Sequence, residues 1–583
     1  MRLPTRVLIA DLTARRFTVE DRADLFQYYI GGAGVAINLL REYCPEGADP
    51  LGSENPIVFA VGPLVGLYPL ASKTVAMFKS PLTGNLGESH AGGRSAVAIR
   101  SAGYGAIVIR GASESPVYLS IDDKGVHFRD ASGIWGIASS VTTGRIIREL
   151  ETGAGTRTIM RIGGAGERLV RYASVITETY RHFGRLGLGA VFGSKKLKAV
   201  TVTGNHGFEV SDRRLYREAY DDIYKRAVES PVMKKYHDIG TSSNIMPLNL
   251  QKGLPTMNLT ATTSPEAERI SGEMLAEHYL GRRVACAHCP VACIHIAALR
   301  EPYEKEPYFY KTTMIPYDYE LIYALGSMLG VFDEKAMLHL IDDVEIWGLD
   351  AMSTGVALAW ATEAQEKGLI TQKETLGLNL RWGDQPTYAK AVEHIVKQPN
   401  DFYSALARGV EKASAIYGGA GFALAFGGNE MPGYHTGPVG YIGYLTGARH
   451  SHLDAAGYSI DQAALNGKLP DPKAAAAKLF KEEAWRQILS SLVVCFFARG
   501  IYDKDTVLKT LETAGHHKVS PESLDKIGVE ILREKNSFKK REGFKPNDLR
   551  IPERVFETPS PLGKVDEKYL RESVEEFYRL LYV

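Results

Sequence analysis

The stretch Cys286-Ala287-His288-Cys289-Pro290-Val291-Ala292-Cys293 places three cysteines close together, and the interpretation of the whole chain starts from it. A fourth cysteine, Cys495, stands far away in an apolar stretch. Three close thiolates and one remote thiolate suit a cubane [4Fe-4S] cluster, because one loop reaches three corners and the distant residue closes the cage. Zinc sites usually bring their ligands in two close pairs. Because His288 or His295 would also serve zinc, a zinc site remains the alternative.

Composition narrows the class of protein. The 583 residues are 45% hydrophobic and 23% charged, which excludes a disordered, collagenous or coiled-coil chain. The net charge of +1 gives no reason to expect a nucleic-acid or membrane partner. Five cysteines are too few for a disulfide scaffold, and their crowding indicates metal ligation in a reducing compartment. The first residues show neither a signal peptide nor a membrane-spanning segment, so we expect a cytoplasmic protein.

The pattern of apolar and turn-forming residues changes along the chain. Short β-branched runs such as Arg6 to Ile9, separated by Gly, Pro and Asp, predict a sheet-rich first third. Beyond about Asp212, stretches such as Glu334 to Trp347 have the apolar spacing of helices. We therefore predict an α+β fold with a sheet-rich domain at 1–210 and two mainly α-helical domains at 211–416 and 417–583. Glycine-rich breaks between 417 and 447 separate the two helical domains.

One glycine-rich segment is typical of a phosphate site. Gly184 to Lys195 places exposed backbone amides beside Arg181 and Arg185, and amides combined with guanidinium groups make a good phosphate cradle. The segment Ser89 to Arg94 is a candidate for the opposite wall. Close packing of the backbone is the alternative explanation for both glycine-rich segments.

Several segments together resemble one family, the tungsten-containing aldehyde ferredoxin oxidoreductases. The resemblance extends over the first two thirds of the chain and, through Cys495, into the last third. The matching segments are Gly62-Pro63-Leu64, Lys79-Ser80-Pro81-Leu82-Thr83-Gly84, Ala102-Gly103-Tyr104, Arg129-Asp130-Ala131-Ser132, Trp135-Gly136, Gly164-Ala165-Gly166-Glu167, Gly189-Ala190-Val191-Phe192-Gly193-Ser194-Lys195, the cysteine loop and Gly348-Leu349-Asp350.

The resemblance implies a tungsten bis-pterin (tungstopterin) carried by the sheet-rich domain, with a Mg²⁺ bridging the pterin phosphates. The implied cluster ligands are Cys286, Cys289, Cys293 and Cys495. The implied pterin-phosphate positions are Lys73, His90, Gly92, Arg181, His182, Gly184 and Arg185.

Two motifs that hold the pterins in this family have counterparts here. The first, D-x-x-G-L-D in the family, runs from Glu345 to Asp350 and keeps a carboxylate at both ends, so it can still accept N–H bonds. The second, D-x-x-G-L-C, runs from Ser490 through Val494 to Cys495 and has lost its aspartate and glycine. Ser490 accepts hydrogen bonds only without charge assistance, so we expect a different grip on that pterin.

The resemblance also implies the catalytic residues, Glu320 and His452. Desolvation at an apolar segment raises a carboxyl pKa and a helix N-terminus lowers it, so Glu320 is a general base if desolvation dominates. The alternative is that Glu320 caps the helix, while Asp318 is expected to be a secondary hydrogen-bonding residue. His452 would polarise the substrate carbonyl, and His450 competes with it for that role. The Arg449-His450-Ser451-His452 form is similar to the formaldehyde-oxidising branch of the family.

These expectations combine into one functional hypothesis. A small aldehyde is oxidised to a carboxylic acid at the tungsten centre, and electrons pass through a [4Fe-4S] cluster to ferredoxin or a small iron–sulfur subunit. A homodimer is implied by the family alone. One alternative is a non-aldehyde tungsten reductase, of the aromatic acyl-CoA type, working with an electron-transfer subunit. The other is a non-catalytic zinc or iron–sulfur module.

Overall fold

The fold is known from a computed structural model that describes residues 4–210, 212–303, 306–516 and 519–582. Its strands lie mostly in the first third of the chain, as the sequence predicts. In chain order they are β1 (Arg6–Asp11), β2 (Arg16–Asp21), β3 (Ile57–Ala60), β4 (Thr74–Lys79), β5 (Leu86–Ala91), β6 (Ala106–Arg110), β7 (Val117–Asp122), β8 (Gly125–Asp130), β9 (Thr156–Arg161), β10 (Val175–Ile176), β11 (His182–Phe183), β12 (Leu197–Gly204), β13 (Leu280–Val284), β14 (Ile294–Tyr303), β15 (Glu306–Tyr317), β16 (Ala425–Phe426) and β17 (Asn429–Glu430).

Two mixed sheets form the first third. The first sheet has the order β2-β1-β6-β3-β4-β5, and only its β1–β6 pair is parallel. The second has the order β11-β10-β9-β12-β7-β8, with β7 and β12 parallel. Both sheets are therefore built mainly from antiparallel pairs, with one parallel pair each.

Helices dominate beyond residue 212, which confirms the α+β class. The described helices of the whole chain are α1 (Ala23–Tyr29), α2 (Gly32–Tyr43), α3 (Ser95–Ser101), α4 (Ser140–Leu150), α5 (Gly164–Glu167), α6 (Leu188–Ser194), α7 (Arg213–Glu229), α8 (Pro231–Asp238), α9 (Ile245–Leu250), α10 (Gly272–His278), α11 (Tyr319–Leu325), α12 (Glu334–Trp347), α13 (Ala351–Glu366), α14 (Gln385–Lys397), α15 (Asp401–Leu406), α16 (Val410–Tyr417), α17 (Pro438–Thr446), α18 (His452–Ala455), α19 (Gly457–Ala464), α20 (Pro472–Ser491), α21 (Lys504–Thr513), α22 (Pro521–Arg541), α23 (Arg554–Glu557) and α24 (Glu567–Tyr582).

Side-chain caps set where many of these helices begin. Asp212 accepts hydrogen bonds from the first amides of α7, and Asp471 caps α20 just before a proline at its first position. Inside the helical part, β13, β14 and β15 form an antiparallel sheet that starts on both sides of the cysteine loop. The loop is thus held between two strands. None of the helices within the described ranges has the length and apolar character needed to cross a bilayer.

The sheet-rich part and the last third meet at glycines. A Cβ on Gly32 would lie 2.2 Å from the Ser490 carbonyl oxygen, and a Cβ on Gly62 would lie 2.6 Å from the Ser491 carbonyl oxygen. Only glycine permits this approach of the C-terminal end of α20. The contact matters for the site because Cys495 lies shortly after the end of α20.

Candidate functional site

A cavity of about 500 Å³ lies where the sheet-rich part meets the helices. Residues from all three thirds of the chain line it, so it forms only when they fold together. The predicted site residues that line it are Lys73, His90, Gly92, Arg181, His182, Gly184, Arg185, Glu320, Glu345, Asp350, His452, Val494 and Cys495.

Glu320 lies in the first turn of α11 but does not cap it. The cap is Asp318, whose side chain accepts hydrogen bonds from the amides of Glu320 and Leu321. Glu320 points into the cavity instead, where its Oε2 accepts a hydrogen bond of 3.0 Å from the Gly433 amide. Burial raises its carboxyl pKa to about 8, against a smaller lowering by the Gly433 hydrogen bond. Burial therefore decides the direction in which the pKa of Glu320 shifts.

His452 lies beside this carboxyl. Its Nε2 is 3.4 Å from Glu320 Oε1. Burial lowers the pKa of His452 to about 3, helped by the positive charges of Arg185 and other arginines. Tyr434 packs on the imidazole at 5.2 Å between ring centroids and stacks on Tyr458 at 4.6 Å. At neutral pH the pair is an uncharged imidazole and a protonated carboxyl.

His450 is turned away from the cavity. Its Nδ1 lies 2.8 Å from the Tyr444 carbonyl oxygen, and its Nε2 lies 3.0 Å from Lys539 Nζ. It is 2% exposed and does not line the cavity. Of the two histidines, the structure therefore places only His452 beside Glu320.

The two carboxylates of the first pterin motif pair with two predicted phosphate residues. Glu345 Oε2 lies 2.6 Å from His182 Nε2, and Asp350 Oδ2 accepts a hydrogen bond of 3.1 Å from Arg185 Nε. Asp350 also caps α13 through the Met352 amide. The acidic motif and the basic segment thus form one wall of the cavity.

A series of buried charged side chains extends from His90 through Glu88 to Lys535. His90 Nε2 lies 2.7 Å from Glu88 Oε1, and Glu88 Oε2 pairs with Lys535 Nζ at 2.6 Å. Lys535 also donates to Gln487 Oε1 at 2.5 Å. Although burial opposes it, the charges of Lys535 and Arg449 hold the pKa of Glu88 well below its usual value. Sequence reasoning missed Glu88 and Lys535, because no local pattern links residues so far apart.

Ser490 lies differently from the other predicted site residues. It is buried near the end of α20, 3% exposed, and is absent from the cavity wall, whereas Val494 lines it. Arg486, one turn before Ser490 on α20, lines the cavity instead. The position that lost its aspartate is therefore also a position that does not face the cavity.

Backbone hydrogen bonds bring the fourth cysteine to the cysteine loop. The Cys495 amide donates to the Leu70 carbonyl oxygen, and the Leu70 amide donates to the carbonyl oxygen of His288 inside the loop, at 2.9 and 3.1 Å. A Cβ on Gly92 would lie 2.7 Å from Cys286 Sγ, so glycine leaves room for that thiol. All four cysteines are free.

The pKa shifts of Arg181 and Cys289 also indicate that the four thiols lie near one another. Burial lowers the pKa of Arg181, but the charges of Cys286, Cys293, Asp318 and Cys495 together outweigh burial and the net shift is upward. Burial, reinforced by the neighbouring thiols, raises the pKa of Cys289 to about 12. Among the residues that the structure describes, no three Cys, His, Asp or Glu side chains are arranged to hold a single metal ion.

Two family models cover almost the whole chain. One describes the N-terminal domain of aldehyde ferredoxin oxidoreductase and matches residues 7–204. The other describes domains 2 and 3 of the same protein and matches residues 218–581. The chain belongs to the aldehyde ferredoxin oxidoreductase family. The resemblance noted from the motifs is thereby confirmed, and the chain is an enzyme.

Relatives in this family align over nearly the full length. The tungsten-containing aldehyde ferredoxin oxidoreductase of Thermococcus kodakarensis is 32% identical over 593 residues, covering 99% of this chain and 95% of that protein. A WOR-like subunit of an aliphatic sulfonate oxidoreductase from Pyrococcus furiosus is 30% identical over 425 residues, covering 70% of this chain and 66% of that protein.

A solved structure shares the fold. The active-site complex BamBC of benzoyl coenzyme A reductase, with 1,5-dienoyl-CoA, superimposes with a TM-score of 0.84 at 20% identity. The alignment covers 99% of this chain and 94% of that chain. At this identity the likeness concerns the fold alone.

Proposed function

We propose that this member of the family oxidises small aldehydes to carboxylic acids at a tungsten bis-pterin centre. The observation that carries the proposal is the Glu320–His452 pair, which lies in the same cavity as the predicted pterin residues. The family name and the name of the Thermococcus relative support tungsten and an aldehyde substrate. The domain limits 1–210, 211–416 and 417–583, the cytoplasmic location and a homodimer belong to the same proposal.

The cavity has the donors and acceptors that a large polar cofactor needs. Glu320 Oε1, His452 Nδ1 and Arg185 Nη1 are buried polar atoms without a hydrogen-bond partner in the described part of the chain. Such atoms are costly unless a ligand or water satisfies them. The bound tungsten centre would accept the two electrons that the aldehyde loses. The residues proposed to hold the two pterins and their Mg²⁺ are Lys73, His90, Gly92, Arg181, His182, Gly184, Arg185, Glu345, Asp350 and Val494.

The catalytic pair supplies the proton chemistry. Aldehyde and water give a carboxylic acid, two protons and two electrons. With a pKa of about 8, ionised Glu320 is basic enough to take a proton from water and is still populated near neutral pH. The neutral imidazole of His452 keeps one N–H, which polarises the substrate carbonyl. Tyr434 and Tyr458 fix the ring from one side.

The four cysteines provide the electron exit in this proposal. Cys286, Cys289, Cys293 and Cys495 would hold a [4Fe-4S] cluster, which passes electrons one at a time to ferredoxin or a small iron–sulfur subunit. A route through the cluster is needed because the aldehyde loses a pair of electrons and such acceptors take single ones. Two observations support this assignment. Backbone hydrogen bonds through Leu70 connect Cys495 to the cysteine loop, and the four cysteines are free thiols.

An anaerobic assay with small aldehydes tests the activity directly. Protein purified without oxygen and loaded with tungsten is analysed for metals and then assayed with a ferredoxin or a dye as acceptor. We expect tungsten, about four irons per chain as one cubane requires, and aldehyde-dependent reduction of the acceptor. Full metal content with no activity on any aldehyde contradicts the proposal. Zinc alone would support the non-catalytic zinc module, and iron alone an iron–sulfur carrier.

The second candidate is a tungsten reductase of aromatic acyl-CoA that works with an electron-transfer subunit. It takes its substrate from the name of BamBC, whose likeness to this chain concerns the fold, and the name of the sulfonate oxidoreductase subunit points to multi-subunit relatives. Benzoyl-CoA with a reduced low-potential donor separates the two candidates. Consumption of benzoyl-CoA without aldehyde oxidation would replace the first proposal by the second.

A further inference from the structure

A second cavity, of about 180 Å³, lies on the sheet-rich part and shares no lining residue with the large one. Arginines from three separate places meet there: Arg94 before α3, Arg148 on α4 and Arg157 on β9. Its other lining residues are Gly155, Ile159 and Glu178.

The charges around this cavity do not balance. Three arginines and one carboxylate, Glu178, line it, so its formal net charge is +2. Glu178 already accepts hydrogen bonds from the Thr158 hydroxyl and the Ile159 amide, and it lies 3.6 Å from Arg94 Nε. Within the described ranges, neither Arg148 nor Arg157 has a carboxylate within 4.0 Å.

Arg157 adds a direct sign of a missing partner. Its Nη1 is buried and has no hydrogen-bond acceptor among the residues described. A buried donor on a charged group is costly to leave unpaired, more so than a neutral one. The cavity therefore presents at least one unused guanidinium N–H to whatever fills it.

We propose that Arg94, Arg148 and Arg157 form a binding site for a phosphate dianion, either the free ion or the terminal group of a phosphomonoester. Guanidinium groups match tetrahedral oxyanions because their planar forks donate two parallel hydrogen bonds. A dianion neutralises the surplus of two positive charges. The volume of 180 Å³ greatly exceeds the roughly 10–15 Å³ that one water needs, so a phosphoryl group fits with some of its waters.

The position of the site gives the bound anion a structural effect. Glu178 starts the short turn Glu178–Tyr180, which the Thr177 amide closes on the Arg181 carbonyl oxygen at 2.7 Å. Arg181, which follows this turn, lines the large cavity. An anion bound by the three arginines thus stabilises the segment that carries Arg181, whatever reaction takes place in the large cavity.

Calorimetric titration of the full chain tests the site without any activity assay. Inorganic phosphate and glycerol 3-phosphate are each titrated at fixed ionic strength set with chloride. We expect saturable binding that Arg157→Gln weakens about tenfold or more, because one charge-assisted contact is lost. Arg145→Gln is the matched control: it removes one exposed positive charge from the same helix as Arg148 without touching the cavity, and it should leave the affinity within about twofold.

Each outcome decides the proposal. No saturable binding of either compound overturns it, and so does equal weakening by Arg145→Gln, since only general charge would then be at work. Tighter binding of glycerol 3-phosphate identifies a phosphorylated metabolite as the occupant, and tighter binding of inorganic phosphate identifies the free ion. If Arg157→Gln does not fold, judged by circular dichroism, Arg148→Gln is used with the same tenfold criterion.

Discussion

Glu320 Oε1 and His452 Nε2 lie 3.4 Å apart, and burial shifts their pKa values in opposite directions, to about 8 and about 3. Both groups are therefore uncharged across a wide range around neutral pH. An uncharged pair avoids the cost of burying an ion in a cavity walled by tyrosines. It also holds one proton that can move when water and substrate arrive, which is how acid and base roles are commonly divided between neighbouring groups.

The first prediction concerns Glu320 as the base. Glu320→Gln keeps the size and the hydrogen bond from Gly433 but removes the basic oxygen, so turnover should fall by about 10² to 10⁴. The measurement is kcat with an aldehyde at equal tungsten and iron content. Asp318→Asn is the control, because asparagine also caps α11; it should change kcat only a few-fold. Near-normal turnover of Glu320→Gln would remove its catalytic role.

The second prediction separates the two histidines. His452→Gln should lower kcat by about 10² or more while the protein stays folded, because the polarising N–H is lost. His450→Gln should instead lower the melting temperature, since His450 is buried with contacts to Tyr444 and Lys539. Both kcat and melting temperature are measured for each variant. A loss of kcat in the His450 variant at unchanged metal content and stability would reverse the assignment.

The third prediction is a pH dependence of stability. Folded Glu320 keeps its proton up to a pKa of about 8, whereas the ordinary glutamate value is 4.5, so the folded state binds more protons in between. Its contribution to the free energy of unfolding is therefore complete below pH 4.5 and is lost as the pH rises to 8. Glu320→Gln lacks this loss.

Urea unfolding of both proteins at pH 5, 6, 7 and 8 checks that prediction. The variant should gain stability relative to the parent chain as the pH increases. Only the difference between the two proteins is informative, because burial also raises the pKa of Glu483 to about 8 and of Asp461 to about 7. A difference that stays constant from pH 5 to 8 would contradict the raised pKa.

The fourth prediction concerns the cluster. Cys495→Ser should lower the iron content and the visible absorption of protein purified without oxygen, because a hydroxyl is a poor substitute for a thiolate ligand. Cys44→Ser is the matched control. Cys44 is buried at 1% exposure beside Pro45 and far in sequence from the other four, so its loss should leave the iron content unchanged. Equal iron in both variants would exclude Cys495 as a ligand.

Local patterns predicted elements well where the chain obeys one periodicity. The helix expected at Glu334 to Trp347 is α12, with those ends, because Asp333 caps it and Gly348 ends it in a left-handed conformation. The strand expected at Arg6 to Ile9 lies within β1. The sheet between β13 and β15 was not foreseen inside the helical part. β13 and β14 pair across the cysteine loop, whereas β15 follows β14 in the chain, so only the β13–β14 pairing lacks a local signal.

The site was harder to predict than the fold at three positions. Asp318 and Glu320 both stand at the start of α11, so the sequence left open which of them caps the helix. The extended backbone of Asp318 and its side-chain hydrogen bonds identify Asp318 as the cap. His450 and His452 are two residues apart, and the positive φ of 55° at His450 sends their side chains in different directions. Ser490 was assigned from its place in a motif, but its position on α20 keeps it off the cavity wall.

The bond between the Cys495 amide and the Leu70 carbonyl has a consequence for biosynthesis. While the chain is still on the ribosome, the three clustered thiols emerge long before the fourth. On the proposed ligation, iron delivered during translation would be held by an incomplete set. We therefore expect cluster assembly to wait until residue 495 has been synthesised, and a product cut short before residue 495 to remain immature however well its earlier domains fold.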